Sequence, residues 1–239
     1  MNIALFGYGK MGHEIESAAI LRGHQVVVHF DSEQEWLRDG SQLRSCDVAI
    51  DFSTPESAIG NIHRCFEAKV PIVCGTTGWH NQLHEIRTEC MATGNSLFFA
   101  SNFSLSVNLF FELNRHLARI MNQYSEYSAS IEEIHHIHKL DAPSGTAITL
   151  ANDIIHEIDR LSEWKNNPLH AKNELAVLSI REGEVTGTHT IRYDSDADTI
   201  EIKHKAKNRK GFAIGAIMAA EFIQGKTGCF GMNDLMKIG

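Results

Sequence analysis

Ile3-Ala4-Leu5-Phe6-Gly7-Tyr8-Gly9-Lys10-Met11-Gly12 decides the fold of this chain. An apolar, strand-like run passes straight into G-x-G-x-x-G, and helical spacing begins at Met11. The first glycine permits a tight turn, the second lets backbone approach a pyrophosphate, and the third lets the helix pack close to the strand. Asp31 follows about 20 residues on, at the end of the next strand-like run, where a carboxylate accepts from a ribose 2′-OH. Strand, glycines, helix, strand and acid in register predict a dinucleotide site made by Gly7, Tyr8, Gly9, Lys10, Met11, Gly12 and Asp31. Asp31 repels a 2′-phosphate, the next residue is Ser32 and not an arginine, and Lys10 is positioned to offset some phosphate charge. The expected cofactor is therefore NADH, with NADPH tolerated.

Working outward, strand-like runs at 3–6, 25–30, 47–52, 71–74 and 96–100 alternate with helical patterns at 11–22, 55–69 and 79–93. Ser53 or Thr54 is placed to cap the helix that Pro55 opens. Such alternation predicts a parallel sheet covered on both faces, with ligands along the carboxyl ends of its strands. Two loops fall on that edge and extend the expected cofactor site: Gly75, Thr76 and Thr77, and then Ala100, Ser101, Asn102 and Phe103. From residue 104 the pattern changes. In a helical stretch at 104–122, Leu105, Leu109, Leu113 and Leu117 predict one buried face. A strand at 129–136 and a helix at 144–160 follow, then strands at 176–181, 187–193 and 199–204, the last two alternating as half-exposed antiparallel strands do. The fold class is therefore α/β, a Rossmann-type parallel-sheet domain plus a smaller α+β domain. The helix at 211–224 is apolar enough to pack on either one.

Within the second domain, His135-His136-Ile137-His138-Lys139 gathers four side chains able to hold or move a proton in five residues. Pro143-Ser144-Gly145-Thr146 follows as a helix start, whose unpaired N–H groups favour a carboxylate or phosphate. Proton donors beside an anion seat suggest catalysis on an acidic small molecule. The formal net charge of −8 argues against general nucleic-acid binding and leaves attraction of such a substrate to a local basic pocket. Five scattered cysteines without a C-x-x-C pair predict reduced, mostly buried thiols in a cytoplasmic protein. The opening run reads as a strand, so no targeting segment is expected, and no apolar run here reaches membrane length. Zinc at the histidines is not expected, because no local tetrahedral set exists and a strand would send His135 and His136 to opposite faces. Of Glu132 and Glu133, at most one can orient a histidine, for the same reason. A semialdehyde dehydrogenase would need an activated cysteine, which neither Cys74 nor Cys90 suggests. A nucleotide sensor would not need the His-Lys block. Trp79 and Phe110-Phe111 are expected in packing, and His24, His63, His84, His156 and His170 on the surface.

Taken together, these motifs resemble the dihydrodipicolinate (4-hydroxy-tetrahydrodipicolinate) reductase family almost end to end. The resemblance rests on the glycine motif, Asp51-Phe52-Ser53-Thr54-Pro55-Glu56, Gly75-Thr76-Thr77-Gly78, Ser101-Asn102-Phe103-Ser104 and H-H-x-x-K-x-D-x-P-S-G-T-A from His135. Arg181-Glu182-Gly183, Gly187-Thr188-His189 and Phe212-Ala213-Ile214-Gly215-Ala216 complete it. It implies a dinucleotide-binding domain of residues 1–103 with 212–239, and a substrate-binding, tetramer-forming domain of residues 104–211. It implies NAD(P)H-dependent reduction of a cyclic dicarboxylate with loss of water. His135 would be the catalytic acid with Lys139 assisting, and His136, Gly145 and Thr146 would hold a substrate carboxylate. His138 receives no role. The chain departs from the family at Ser32, where some relatives carry a basic residue, and in a second domain that looks compact.

Overall fold

Short apolar runs separated by capped helices give a chain that the computed structural model describes over residues 1–167 and 171–237. Its first segment runs β1 (Asn2–Phe6), α1 (Lys10–Leu21), β2 (Gln25–Phe30), α2 (Glu33–Asp39), β3 (Val48–Asp51) and α3 (Pro55–Ala68). It continues through β4 (Ile72–Cys74), α4 (Leu83–Ala92) and β5 (Ser96–Phe99). Next come α5 (Leu105–Met121), β6 (Ser128–His135), α6 (Gly145–Glu157), β7 (Glu163–Lys165), β8 (Glu174–Arg181), β9 (Thr188–Asp194) and β10 (Thr199–Lys205). The chain closes with α7 (Lys210–Ile223), β11 (Gly228–Phe230) and α8 (Met232–Met236). Two units result, Met1–Leu105 with Arg209–Gly239, and Ser106–Asn208. Their borders lie two or three residues from those drawn from sequence.

In the first unit a parallel sheet runs in the order β11-β5-β4-β3-β1-β2. Ile3 and Leu5 enter one buried cluster with α1 and α7, while Ala4 and Phe6 enter the other with α3. Period-2 alternation therefore supplies both faces, and both are apolar because both are covered. Small residues allow α7 to lie close: Ala213, Gly215, Ala216, Ala219 and Ala220 are all buried. A Cβ on Gly215 would stand 1.8 Å from the Phe103 carbonyl oxygen. The helix α2 has no counterpart in the sequence pattern, because only Trp36 packs against the core and no periodic apolar face results. Its signal was the Ser32/Glu35 capping box, in which Ser32 Oγ accepts the Glu35 N–H and the Glu35 carboxylate accepts the Ser32 N–H. The three-residue β7 and β11 were missed because such runs carry too little periodicity.

In the second unit the sheet order is β10-β9-β6-β8-β7. β8 pairs in parallel with β6 and β7, and β9 lies antiparallel to β6 and β10. Ile131, Val177 and Ile191 pack against Phe110, Ala118, Leu150 and Ile154 of α5 and α6. The leucine stripe expected to be buried is not: Leu109 is 51% and Leu113 59% exposed. The buried residues of α5 are Val107, Phe110, Asn114, Ala118 and Met121. Steps of four drift by roughly 40° each, whereas mixed steps of three and four hold one stripe. β9 also departs from expectation, being buried on both faces along most of its length. His24 is half-buried and bonded to Glu221 at 2.8 Å, not free on the surface; His170 lies outside the described residues.

Gly215→Ala is expected to lower stability by about 1–3 kcal/mol through overpacking. Gly60→Ala is the control, because an added Cβ on that exposed α3 residue meets nothing within 4 Å. Urea unfolding of the two variants checks this, and equal midpoints would contradict the tight α7 contact.

Candidate active site

At the carboxyl edge of the parallel sheet, the glycine loop has the geometry its spacing predicts. Gly7 has φ +85, and a Cβ there would sit 2.4 Å from the Phe52 carbonyl oxygen. A Cβ on Gly12 would meet the Gly7 carbonyl oxygen at 2.6 Å, so the helix lies directly on the loop. Nothing stands within 4 Å of a Cβ built on Gly9, the N-cap of α1, and no side chain caps that helix. Open space therefore faces uncapped N–H groups, which suits a pyrophosphate. Asp31 Oδ1 accepts the Tyr8 N–H at 2.8 Å. A cavity of about 500 Å³ joins Gly7 and Gly9 to Asp31, Ser32 and Ser53.

Several expected cofactor residues serve this edge indirectly. Thr76 is buried, and its hydroxyl donates to Asp51, a carboxylate buried completely at the end of β3. Asp51 also accepts from Ser53 N–H at 3.0 Å and Asn61 at 2.9 Å. Burial pushes its carboxyl above the usual range, against those hydrogen bonds. Sequence reading noticed Asp51 only within a motif, although a strand-end acid before Ser-Thr-Pro could have marked the loop organiser. Phe103 packs with Phe52 and Phe98, so its ring belongs to the core. Met11 packs against the core beside it, and the Tyr8 ring stacks on His29 at 4.2 Å. Gly75 has no room for a side chain because the Phe52 ring fills the space. Thr77 and Ser101 are exposed, Ala100 is buried, and the Asn102 side chain accepts the Ser104 N–H at 2.9 Å. Lys10 lines a different cavity, with His13, Arg22 and Arg209, and is not among the residues around Asp31.

In the second unit, β6 delivers Glu133 and His135 to one face, since strand side chains alternate. His135 Nδ1 and Glu133 Oε2, both buried, face each other at 3.1 Å. Glu133 Oε1 accepts the Ser144 N–H at 3.0 Å and lies 3.3 Å from Arg181 Nη2. Burial acts to raise the Glu133 carboxyl, but hydrogen bonds from His135, Ser144 and Ser179 outweigh it and hold the group far below the carboxylate range. Glu133 is thus a buried anion. His189, on β9, lies 3.7 Å from Glu133 Oε2 and 3.1 Å from Ser144 Oγ. Burial and the neighbouring His135 lower its imidazole to about 4, so it is neutral. Glu133, His135 and His189 present donor atoms within 4.8 Å of one another, a spacing that a cation could bridge. The set comes from two strands, which is why local spacing did not reveal it.

Around this dyad the loop from His136 to Ser144 is tied down by Arg181, which donates to the carbonyls of Asp141 at 2.6 Å and Lys139 at 3.4 Å. Lys139 Nζ donates to Asp141 at 2.7 Å. Ser144 Oγ accepts the Ala147 N–H and caps α6, leaving the Gly145 and Thr146 N–H groups at the open helix start. His136 is half-buried with Nδ1 unpartnered among the described residues. His138 is exposed and reaches Glu184 at 3.4 Å. Gly187 closes over the acid, since a Cβ there would lie 3.1 Å from His135 Nε2. All cysteines are free, and burial pushes Cys46 up to about 11 and Cys90 up to about 12, so neither is a ready nucleophile.

Because His189 binds its proton later than in the unfolded chain, where 6.5 applies, stability should be full above that value and fall as pH drops toward 4. The loss is about 3 kcal/mol for this group. Glu133 acts in the same direction below its ordinary range. His189→Asn should flatten the decline in urea unfolding between pH 6.5 and 4. A His189 ring titrating near 6.5 by NMR would contradict it.

Residues 1–103 match the family model for the dihydrodipicolinate reductase N-terminus, and residues 106–236 the model for its C-terminus. The chain is 47% identical over 236 residues to 4-hydroxy-tetrahydrodipicolinate reductase of Christiangramia forsetii, covering 99% of this chain and 98% of that one. It is 36% identical to the enzyme of that name from Neisseria meningitidis serogroup B, over 81% of this chain and 74% of that one. Its fold is similar to a dipicolinate-bound dihydrodipicolinate reductase from Paenisporosarcina sp. TG-14, with TM-score 0.76, 21% identity and 97% of each chain covered. With both family models matched in order and near-complete coverage of the Christiangramia forsetii relative, the chain belongs to the dihydrodipicolinate reductase family.

Proposed function

We propose that this chain reduces 4-hydroxy-tetrahydrodipicolinate to tetrahydrodipicolinate with loss of water, in lysine and diaminopimelate biosynthesis. The observation that carries the reading is a buried Glu133–His135 pair bonded through Ser144 to the open start of α6. A proton donor and an anion seat are thereby built as one piece, as reduction of a cyclic dicarboxylate requires. The dinucleotide cradle supports a nicotinamide cofactor: Gly7 and Gly12 admit no Cβ, and the uncapped α1 start adjoins the cavity that ends at Asp31. When bound, the reduced nicotinamide supplies the hydride.

The protein's own residues hold charge and move the proton. Gly7, Gly9 and the start of α1 bind pyrophosphate, and Asp31 accepts from the ribose. The Gly75–Thr77 and Ala100–Phe103 loops border the same edge, chiefly through backbone and packing. Asp31 and Glu33 at the ribose end favour NADH over NADPH by repelling a 2′-phosphate. In the second unit, Gly145 and Thr146 N–H groups and His136 hold a substrate carboxylate, and Lys139 exchanges Asp141 for the substrate as charge clamp and assisting donor. Glu133 stabilises the His135 imidazolium and keeps Nε2 as the donating atom, so the ring density created by reduction is relieved by a proton. No metal enters this scheme, and the Glu133–His135 contact uses the spacing a cation would need.

A homo-oligomer, of tetramer size, and a cytoplasmic location belong to the same proposal. The exposed Leu109, Leu113, Leu178 and Ile200 of the second unit support self-association. The free thiols fit a reducing compartment, and no helix among the described residues is long and apolar enough to cross a membrane.

His135→Gln should lower kcat by about 100- to 10,000-fold with little change in NADH affinity. A coupled assay with freshly generated substrate and fluorescence titration of NADH check this. Unchanged kcat would remove His135 from the role of acid, and loss of activity on chelation would replace it with a metal.

A further inference from the structure

The cavity that ends at Asp31 contains one cation that motif reading overlooked. Arg64, on the third turn of α3, is the only lysine or arginine among the described residues lining it. Its guanidinium lies over the Trp36 ring at 4.4 Å, and Nη1 donates to Asn61 at 3.2 Å. Asn61 is itself anchored by buried Asp51. Nη2 donates to both carboxylate oxygens of Glu33, at 2.8 and 2.6 Å. The two ends of this pair differ: the Arg64 side chain is 25% exposed and packed, whereas that of Glu33 is 62% exposed. The fixed member is the cation, and the displaceable one is the acid.

We propose that Arg64 is the residue that admits a 2′-phosphate, with Glu33 as a built-in competitor that the phosphate must displace. This rests on the dinucleotide reading of the cavity and deepens it. The planar guanidinium fork binds phosphate and carboxylate oxygens in the same bidentate way, so one anion can replace another without moving the arginine. NADH leaves the Arg64–Glu33 pair intact. NADPH brings its own anion to the fork and must release Glu33, which then adds to the repulsion from Asp31. Tolerance of NADPH thus comes from α3, replacing both the basic residue absent at Ser32 and Lys10, which lines another cavity.

The test compares Arg64→Met and Glu33→Gln with the unaltered chain in two readouts. Calorimetric binding of adenosine 2′,5′-bisphosphate and of 5′-AMP needs no turnover. The ratio of kcat/KM for NADPH to that for NADH is the second. Arg64→Met should reduce preference for the 2′-phosphorylated ligand by about 10- to 100-fold, the value of one or two charge-assisted hydrogen bonds. Glu33→Gln should move the ratio the other way. Equal losses toward both ligands would make Arg64 an adenine contact and overturn the proposal, as would ratios that do not move. If the unaltered chain binds neither nucleotide, the dinucleotide reading itself fails, a result distinct from both.

Discussion

The buried carboxylate of Glu133 is the interaction on which the proposed site of the second unit depends. A charge removed from water must be answered by donors, and here they come from three different elements: His135 beside it on β6, Arg181 on β8 and the Ser144 N–H at the start of α6. Each of these donors has a second attachment. Arg181 holds the loop carrying Lys139 and Asp141, Ser144 caps α6, and His135 presents Nε2 beneath Gly187. The requirement to satisfy one anion therefore fixes His135, the loop carrying Lys139 and the start of α6 together. Functional preorganisation here is a consequence of the electrostatics of burial.

Asp51 has the corresponding place in the nucleotide unit. It is buried and bonded to Ser53, Thr76 and Asn61, and so ties together the loops beside the glycine turn. Arg64 inherits its orientation from the same network through Asn61. Both units thus place a buried acid beneath a loop of the proposed site.

Much of this was legible in sequence, for definite physical reasons. The parallel sheet followed from the alternation of short strand-like runs with helical patterns, and from a glycine turn with one geometric solution. The His-Lys block was legible because proton donors next to a helix start carry local chemistry. The hub was not: Glu133 could be chosen over Glu132 only by strand alternation, and Arg181 and His189 reach it only through the pairing of β6 with β8 and β9. Register is a long-range property that spacing does not carry. The leucine stripe of α5 misled for the opposite reason, since local period alone cannot say which of two apolar faces meets a sheet. Arg64 escaped notice because neither its distance from the glycine motif nor its helix marks it as a nucleotide contact.

The central claim is that Glu133 holds His135 as the proton donor without touching substrate, and it is tested most directly by comparing Glu133→Gln with Glu133→Asp. Single-turnover hydride transfer and NADH dissociation constants should be measured on the same preparations, with ¹⁵N NMR of the histidine rings. We expect Gln to slow the step by about 100-fold or more at unchanged NADH affinity, with loss of the His135 Nδ1–H signal. Asp should recover both in part. Full-speed transfer in Glu133→Gln, with the His135 ring unaltered, would contradict the account.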